Sequence, residues 1–157
     1  MAKPTIVIVP GSFAVNGAYQ PIVDQLRAQG YPALEVFLLS TEKRLGLEPA
    51  TMEEDAKKVR AVVEALVAQK KEVVVLCHSY GGTPTTQALA GIQVKRIIYL
   101  TAIAPKVGES HADAMAGPVI EAVIGSAVVG FFRNVISFER RDLINWLPNT
   151  FQILVLI

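Results

Sequence analysis

Four short apolar runs alternate with segments of helical periodicity, and this alternation constrains the fold more than any other feature of the chain. The runs occupy residues 5–10, 33–39, 72–77 and 94–102 and are rich in β-branched or large apolar residues. Such runs are typical of strands that are buried on both faces of a parallel sheet. Helical connections between parallel strands are right-handed crossovers, and they place helices on both faces of the sheet. The sequence therefore predicts an α/β fold with a mostly parallel sheet and helices on both faces.

Three segments between the runs predict helices. The first begins near Pro21 and ends at Gly30, a residue that readily adopts a left-handed cap. Thr51 and Glu54 form a capping-box pattern at the start of the second helix, and residues 83–91 form the third. The second helix combines acidic residues in its first turn, an apolar stripe and two closing lysines: Glu53, Asp55, Val59, Val62, Val63, Leu66, Lys70 and Lys71.

The length of the chain limits the number of domains. Its 157 residues, of which 52% are hydrophobic, suffice for one well-filled core but not for two ordinary domains. We expect one domain over residues 1–157, with core strands and helices in 1–104, a loop and lid-like helical segment in 105–147, and a final strand in 148–157. The longest apolar tract is interrupted by Glu121 and is shorter than the roughly 20 residues of a membrane span, so no span is expected.

Charge, cysteine content and motifs exclude several classes of function. Fifteen basic and 14 acidic residues leave a net charge of +1, and the basic residues are scattered, so a nucleic-acid partner is not expected. The single cysteine, Cys77, excludes an internal disulfide and fits a cytoplasmic location. His78 and His111 lack metal-ligand spacing, and no phosphate-binding glycine motif follows a strand. We therefore expect a small-molecule substrate, no cofactor and no metal.

The stretch VVVLCHSYGG, residues 73–82, ends a predicted strand on a serine between small residues. A strand that turns at once into a helix leaves room only for small neighbours, here Cys77 and Gly81. The turn would lift the Ser79 hydroxyl above the sheet edge, near backbone N–H groups. The stretch resembles the small-x-Ser-x-Gly nucleophile elbow of the α/β-hydrolase superfamily, with Cys77 where glycine is commonest. The alternative is a serine that only caps the following helix.

A second segment, VPGSFAVNGAYQPIVDQL, resembles the first conserved loop of the same superfamily. Pro10 stands in the place of the usual histidine, and Tyr19 is the aromatic residue that begins the next helix. The resemblance implies that the backbone N–H groups of Ser12 and Tyr80 form an oxyanion hole. It also implies a small cofactor-free esterase or a related hydroxynitrile lyase. Taken alone, the loop would equally fit an ordinary glycine-containing turn.

The partners that would activate Ser79 are not evident in the sequence. A serine needs a histidine to take its proton and a carboxylate to orient that histidine, and the superfamily places both after the serine. The final strand resembles the one that precedes the acid, yet the chain ends at Ile157. We therefore expect a chain truncated at its C-terminus, with an incomplete sheet whose unpaired edge promotes self-association. The only downstream histidine, His111, lies between Glu109 and Asp113 and is either the base of a dyad or a solvated loop residue.

Two functional hypotheses follow. The first is a serine hydrolase that acts on a small ester or related acyl substrate through Ser79 and is inactive in this truncated form. The second is a non-catalytic domain of the same fold that binds a ligand or a partner. A lyase that uses the same residues cannot be distinguished from an esterase by sequence.

Overall fold

The computed structural model of the chain describes residues 2–115 and the backbone of one further strand at residues 154–156. Strands and helices alternate along the chain, as expected. The elements are β1 (Thr5–Val9), α1 (Gln20–Ala28), β2 (Ala33–Glu35), a 3₁₀ turn (Leu39–Thr41), α2 (Met52–Ala68), β3 (Val73–His78), a second 3₁₀ turn (Ser79–Gly81), α3 (Gly82–Ala88), β4 (Arg96–Leu100), α4 (His111–Met115) and β5 (Leu154–Leu156).

The five strands form one parallel sheet in the order β2-β1-β3-β4-β5. The central strand is β3, in which Val75 pairs with Val7 of β1 on one side and Ile97 of β4 on the other. This confirms the predicted parallel sheet and the central place of the strand that leads to Ser79. Because all strands run the same way, the loops after β1, β3 and β4 meet at one edge of the sheet, where ligands bind in folds of this class.

The two faces of the sheet carry separate apolar cores. Alternate residues such as Val7, Val9 and Val75 pack with the buried side chains of α2 and α3. Ile8 and Leu76, which point the opposite way, pack with Val23 of α1 and its neighbours. Helices therefore cover both faces, as the uninterrupted apolar strands predict.

The end of α1 and the start of α2 follow local sequence rules, whereas the end of α2 does not. Gly30 has a φ of +80° after α1, as its predicted role as a left-handed cap requires. The Thr51 and Glu54 capping box is present at the start of α2. At its other end, however, α2 stops at Ala68, and Lys70 takes the left-handed position with a φ of +58°. The expected final turn with Lys70 and Lys71 is therefore wrong, because the chain already reverses there.

The remaining differences concern the lengths of elements. β2 has three residues instead of the predicted seven of 33–39, because the chain leaves the ladder after Val36 donates to the carbonyl of Ile8. Of the expected final strand at 148–157, the structure describes residues 154–156. In the predicted lid-like segment, 105–147, the described part ends with α4, and residues 116–147 lie outside the described residues. Within residues 2–115, no helix is both long and apolar enough to cross a bilayer.

Candidate active site

Ser79 occupies a strained turn between β3 and α3. Its φ is +51°, a left-handed conformation that residues with a side chain rarely adopt. Two other residues with a side chain and a positive φ lie at the same edge of the sheet: Phe13 (+60°) after β1 and Thr101 (+42°) after β4. Strain of this kind persists where the surrounding structure imposes it, and it concentrates at functional sites. The strained residues therefore mark the edge at which Ser79 lies as the candidate site.

The two glycines after Tyr80 let the turn approach its neighbours closely. A Cβ on Gly81 would lie 2.4 Å from the carbonyl oxygen of Pro10, and one on Gly82 would lie 2.1 Å from that of Ile103. The backbone N–H of Ile103 donates to the carbonyl of Ser79 at 3.0 Å. The loops after β1 and β4 thus enclose the serine turn so tightly that only glycine fits at both positions.

The loop after β1 lies directly beside Ser79. A Cβ on Gly11 would be 3.1 Å from the Cβ of Ser79. Ser12 follows Gly11, and its backbone N–H donates no hydrogen bond to any residue that the structure describes. Tyr80 follows Ser79, so the two predicted oxyanion-hole donors belong to two turns that are in contact.

Tyr19 connects this loop to the end of β3. Its hydroxyl accepts a hydrogen bond from the Gly11 N–H at 3.2 Å and is 2.5 Å from Nδ1 of His78. Its own N–H donates to Oε2 of Glu35 at 3.2 Å. Burial lowers the pKa of His78 and raises the pKa of Glu35, so both groups are biased towards their uncharged forms. His78 thus contributes a hydrogen bond between the end of β3 and the start of α1.

Cys77 is the small residue two positions before Ser79. Its thiol is fully buried and donates to the carbonyl of Ile98 at 3.5 Å. Burial raises the pKa of this thiol to about 12, so it is not a thiolate at neutral pH. The side chain therefore fills space under the turn and is not a second nucleophile.

His111 lies against the serine turn but not on the serine hydroxyl. Its Nδ1 is 2.7 Å from Oγ1 of Thr83, and its ring packs edge-on to Tyr80 with the centroids 5.4 Å apart. Among the described residues, no hydrogen bond joins either histidine to the hydroxyl of Ser79. His111 is intermediate in exposure and begins α4, so it is neither on the hydroxyl of Ser79 nor fully solvated.

The acidic residues that flank His111 serve local turns. Glu109 accepts from the Lys106 N–H at 2.8 Å, and Asp113 accepts from the N–H and hydroxyl of Ser110. The hydrogen bonds from Ser110 lower the pKa of Asp113. In the contacts that the structure describes, neither carboxylate orients the imidazole of His111. Nor do the described residues bring three metal-ligating side chains together.

Sequence reasoning missed Asp55, which contacts the residue next to the serine. Its side chain is 0% exposed and accepts from the Ser40 N–H at 3.0 Å, the Ser40 hydroxyl at 2.5 Å and the Tyr80 hydroxyl at 2.9 Å. Burial, followed by the hydrogen bond to this carboxylate, raises the pKa of Tyr80 well above its usual range. The signal was present, because Asp55 lies four residues before Val59 and eight before Val63 on the buried stripe of α2.

Comparisons with known proteins support the fold. The sequence profile of the alpha/beta hydrolase family matches residues 6–153. A probable hydrolase, R7, of Phoma sp. is 52% identical over 121 residues, which are 74% of this chain and 50% of that protein. The alpha/beta hydrolase nvfD of Aspergillus novofumigatus is 34% identical over 122 residues, 70% of this chain and 47% of that protein. The chain spans about half the length of these curated relatives.

Solved structures share the fold at lower sequence identity. Tomato methylketone synthase I, solved with 2-tridecanone, superposes with a TM-score of 0.64 at 16% identity over 80% of this chain and 50% of its own. An extracellular alpha/beta-hydrolase from Paenibacillus superposes with a TM-score of 0.54 at 24% identity over 66% of this chain and 42% of its own. These likenesses support the fold alone.

Proposed function

The chain belongs to the alpha/beta hydrolase family, and on that premise we propose that Ser79 is the nucleophile of a serine hydrolase that cleaves small esters. The observation that carries the proposal is the left-handed backbone of Ser79, with a φ of +51°, at the junction of β3 and the following helix. A serine on such a strand-to-helix turn presents its hydroxyl above the sheet edge, where a substrate can reach it.

The proposed reaction proceeds through an acyl-enzyme. Oγ of Ser79 attacks the ester carbonyl and loses its proton to a base, and the carbonyl oxygen becomes an oxyanion. The backbone N–H groups of Ser12 and Tyr80 would stabilise this oxyanion, and its collapse expels the alcohol, which takes up a proton. Water then attacks the acyl group by the same route and releases the acid and free Ser79. These reaction steps need no cofactor.

The substrate class is proposed from the side chains around this edge. Phe13, in the loop after β1, is 94% exposed, and Val107, after β4, is fully exposed. Leu45, which follows β2, is 84% exposed. A contiguous exposed apolar patch commonly marks a ligand or partner surface, and these three side chains follow strands of one parallel sheet. They support an ester with an apolar acyl or alcohol group.

The base is the part of the site that the described residues do not supply. His111 reaches Thr83 and Tyr80, and His78 reaches Tyr19, so the described contacts leave Ser79 without an imidazole on its hydroxyl. When the histidine and acid are removed from a serine triad, the oxyanion hole and substrate binding alone retain a rate of about 10³ to 10⁴ over water. We therefore propose that the 157-residue chain hydrolyses esters feebly.

Turnover of p-nitrophenyl acetate tests this proposal. We expect slow hydrolysis above that of the urea-unfolded chain, with little change in Ser79→Ala, because without a base the serine contributes little to the rate. Substantial turnover that disappears in both Ser79→Ala and His111→Ala would instead establish a dyad of these two residues.

A second candidate function is a non-catalytic domain that binds a ligand or partner. It is favoured by one observation, the hydrogen bond that His111 makes with Thr83 in place of Ser79. The same assay separates the two candidates. A folded chain whose turnover does not exceed that of the unfolded chain would support the binding domain and end the hydrolase proposal for this chain.

A further inference from the structure

We propose that Asp55 is a positioning residue for the serine turn: its carboxylate holds the side chain of Tyr80 and thereby the backbone N–H next to Ser79. The bond between the Tyr80 hydroxyl and Oδ2 of Asp55 is 2.9 Å long and joins residues 25 positions apart. The catalytic meaning of this contact rests on the function proposed for Ser79. The contact itself does not.

Asp55 is an unusual residue to find on the buried face of a helix. It is 0% exposed, and its neighbours on that face of α2 are Ala56, Val59, Val63 and Leu66. A buried carboxylate is costly unless hydrogen bonds compensate for the lost water. The three donors to Asp55 provide that compensation, and an apolar residue in its place could not bind any of them.

The three hydrogen bonds that Asp55 accepts come from two different turns. Two come from Ser40 and hold the first 3₁₀ turn to α2. The third comes from Tyr80, which belongs to the strained turn after β3. A purely local role in the loop after β2 would need only the bonds from Ser40, so the bond to Tyr80 is the one that requires a further explanation.

The serine turn is fixed on two sides. On one side, the N–H of Ile103 donates to the carbonyl of Ser79 at 3.0 Å. On the other, the side chain of Tyr80 reaches Asp55. A residue at a φ of +51° keeps that conformation only while its neighbours are held, so the two contacts together maintain the direction of the Tyr80 N–H.

The same contact also places His111. The ring of Tyr80 is half-buried and meets the imidazole of His111 edge-on, at 69° and 5.4 Å between centroids. Because burial and the neighbouring carboxylate raise the pKa of Tyr80, its hydroxyl remains protonated and continues to donate at neutral pH. Asp55 therefore acts on both the proposed oxyanion-hole donor and the imidazole of His111, although it touches neither.

The test compares two tyrosines that each lose a hydroxyl. Tyr80→Phe removes the bond to Asp55, whereas Tyr99→Phe removes a bond of 2.8 Å between buried Tyr99 on β4 and Thr86. We expect amide hydrogen exchange of residues 79–82 to accelerate about tenfold or more in Tyr80→Phe, as local opening does when a fixing contact is lost. Tyr99→Phe should leave this segment unchanged, because the hydroxyl of Thr86 can still donate to the carbonyl of Gly82 without the hydroxyl of Tyr99. Equal exchange at residues 79–82 in the two variants would overturn the proposal.

Asp55→Asn alters the acceptor side of the same hydrogen bond. The amide keeps one acceptor oxygen, so it cannot accept from both the Ser40 N–H and the Tyr80 hydroxyl as the two carboxylate oxygens do. The proposal has Asp55 act on residues 79–82 through the side chain of Tyr80, so the effect of Asp55→Asn on exchange there should not add to that of Tyr80→Phe. Full additivity would contradict the proposal. If Asp55→Asn does not fold, the pair Tyr80→Phe and Tyr99→Phe decides the question.

Kinetics provide a readout that a merely structural role would not change. The residual hydrolysis of p-nitrophenyl acetate should lose kcat by about 10- to 100-fold in Tyr80→Phe, the effect of misplacing a catalytic group, with KM unchanged. Tyr99→Phe should keep both constants. If the unaltered chain shows no hydrolysis, the proposal that this chain hydrolyses esters fails, while the exchange experiment still decides whether Asp55 positions the turn.

Discussion

Gly81→Ala is the substitution that the serine turn should tolerate least. An added Cβ would lie 2.4 Å from the carbonyl oxygen of Pro10, 2.7 Å from that of Val9 and 3.1 Å from the Val9 carbonyl carbon. Carbon atoms pack without repulsion at about 3.5 to 4.0 Å, so the overlap is severe. The atoms in the way belong to the backbone at the end of β1, which pairs with β2 and β3 and cannot move without breaking the ladder.

The expected loss is at the upper end of the range for overpacked sites, about 3 kcal/mol in the free energy of unfolding. Gly17→Ala is a matched control, since Gly17 has a φ of +84° but nothing within 4 Å of an added Cβ. It should lose only the cost of a left-handed residue with a side chain, about 1 kcal/mol. Urea unfolding followed by far-UV circular dichroism measures both. A loss in Gly81→Ala no greater than in Gly17→Ala would refute the close approach of the turn to β1.

Two further predictions concern pH and association. Burial lowers the pKa of His78 in the folded chain. The unfolded chain, in which histidine has its ordinary pKa of about 6.5, therefore binds the proton first as the pH falls. The contribution of His78 to stability should be full above about pH 6.5 and should be lost as the pH falls from there to the lower pKa of the folded chain. His78→Gln should weaken this dependence of stability on pH. If the urea unfolding midpoints of the unaltered chain and of His78→Gln fall by the same amount from neutral to acid pH, the prediction is wrong. The chain should also self-associate through the outer edge of the sheet at β5, which in the described residues pairs only with β4; a clean monomer by light scattering at high concentration would refute this.

The parts of the fold that sequence predicts well are those that depend on local pattern. Thr51 and Glu54 are three residues apart and form their capping box without help from the rest of the chain. The apolar strands and Gly30 are likewise readable from short segments. Lys70 shows the limit, because it takes a left-handed position for which glycine is the usual residue, so the sequence pattern does not mark the end of α2.

The site is less predictable, because its contacts join distant residues. The stretch around Ser79 identifies the turn, since a strand followed at once by a helix requires small neighbours. The contacts of Tyr19 with His78 and of Asp55 with Tyr80 join residues 59 and 25 positions apart, so they depend on the strand order of the sheet. Local pattern assigns Asp55 to the favourable charges of the first helical turn, although its spacing also places it on the apolar stripe of α2.

The central claim is that Ser79 is a nucleophile held on a strained turn, and reaction with a fluorophosphonate followed by peptide mass spectrometry tests it most directly. An exposed serine oxygen attacks the phosphorus of the reagent, fluoride leaves as the serine loses its proton, and backbone N–H groups stabilise the charge that develops on the phosphoryl oxygen. We expect one adduct, on the peptide that contains Ser79, formed slowly in the folded chain and absent from Ser79→Ala and from the urea-unfolded chain. No adduct on Ser79, or adducts distributed equally over Ser12, Ser40 and Ser110, would contradict the claim.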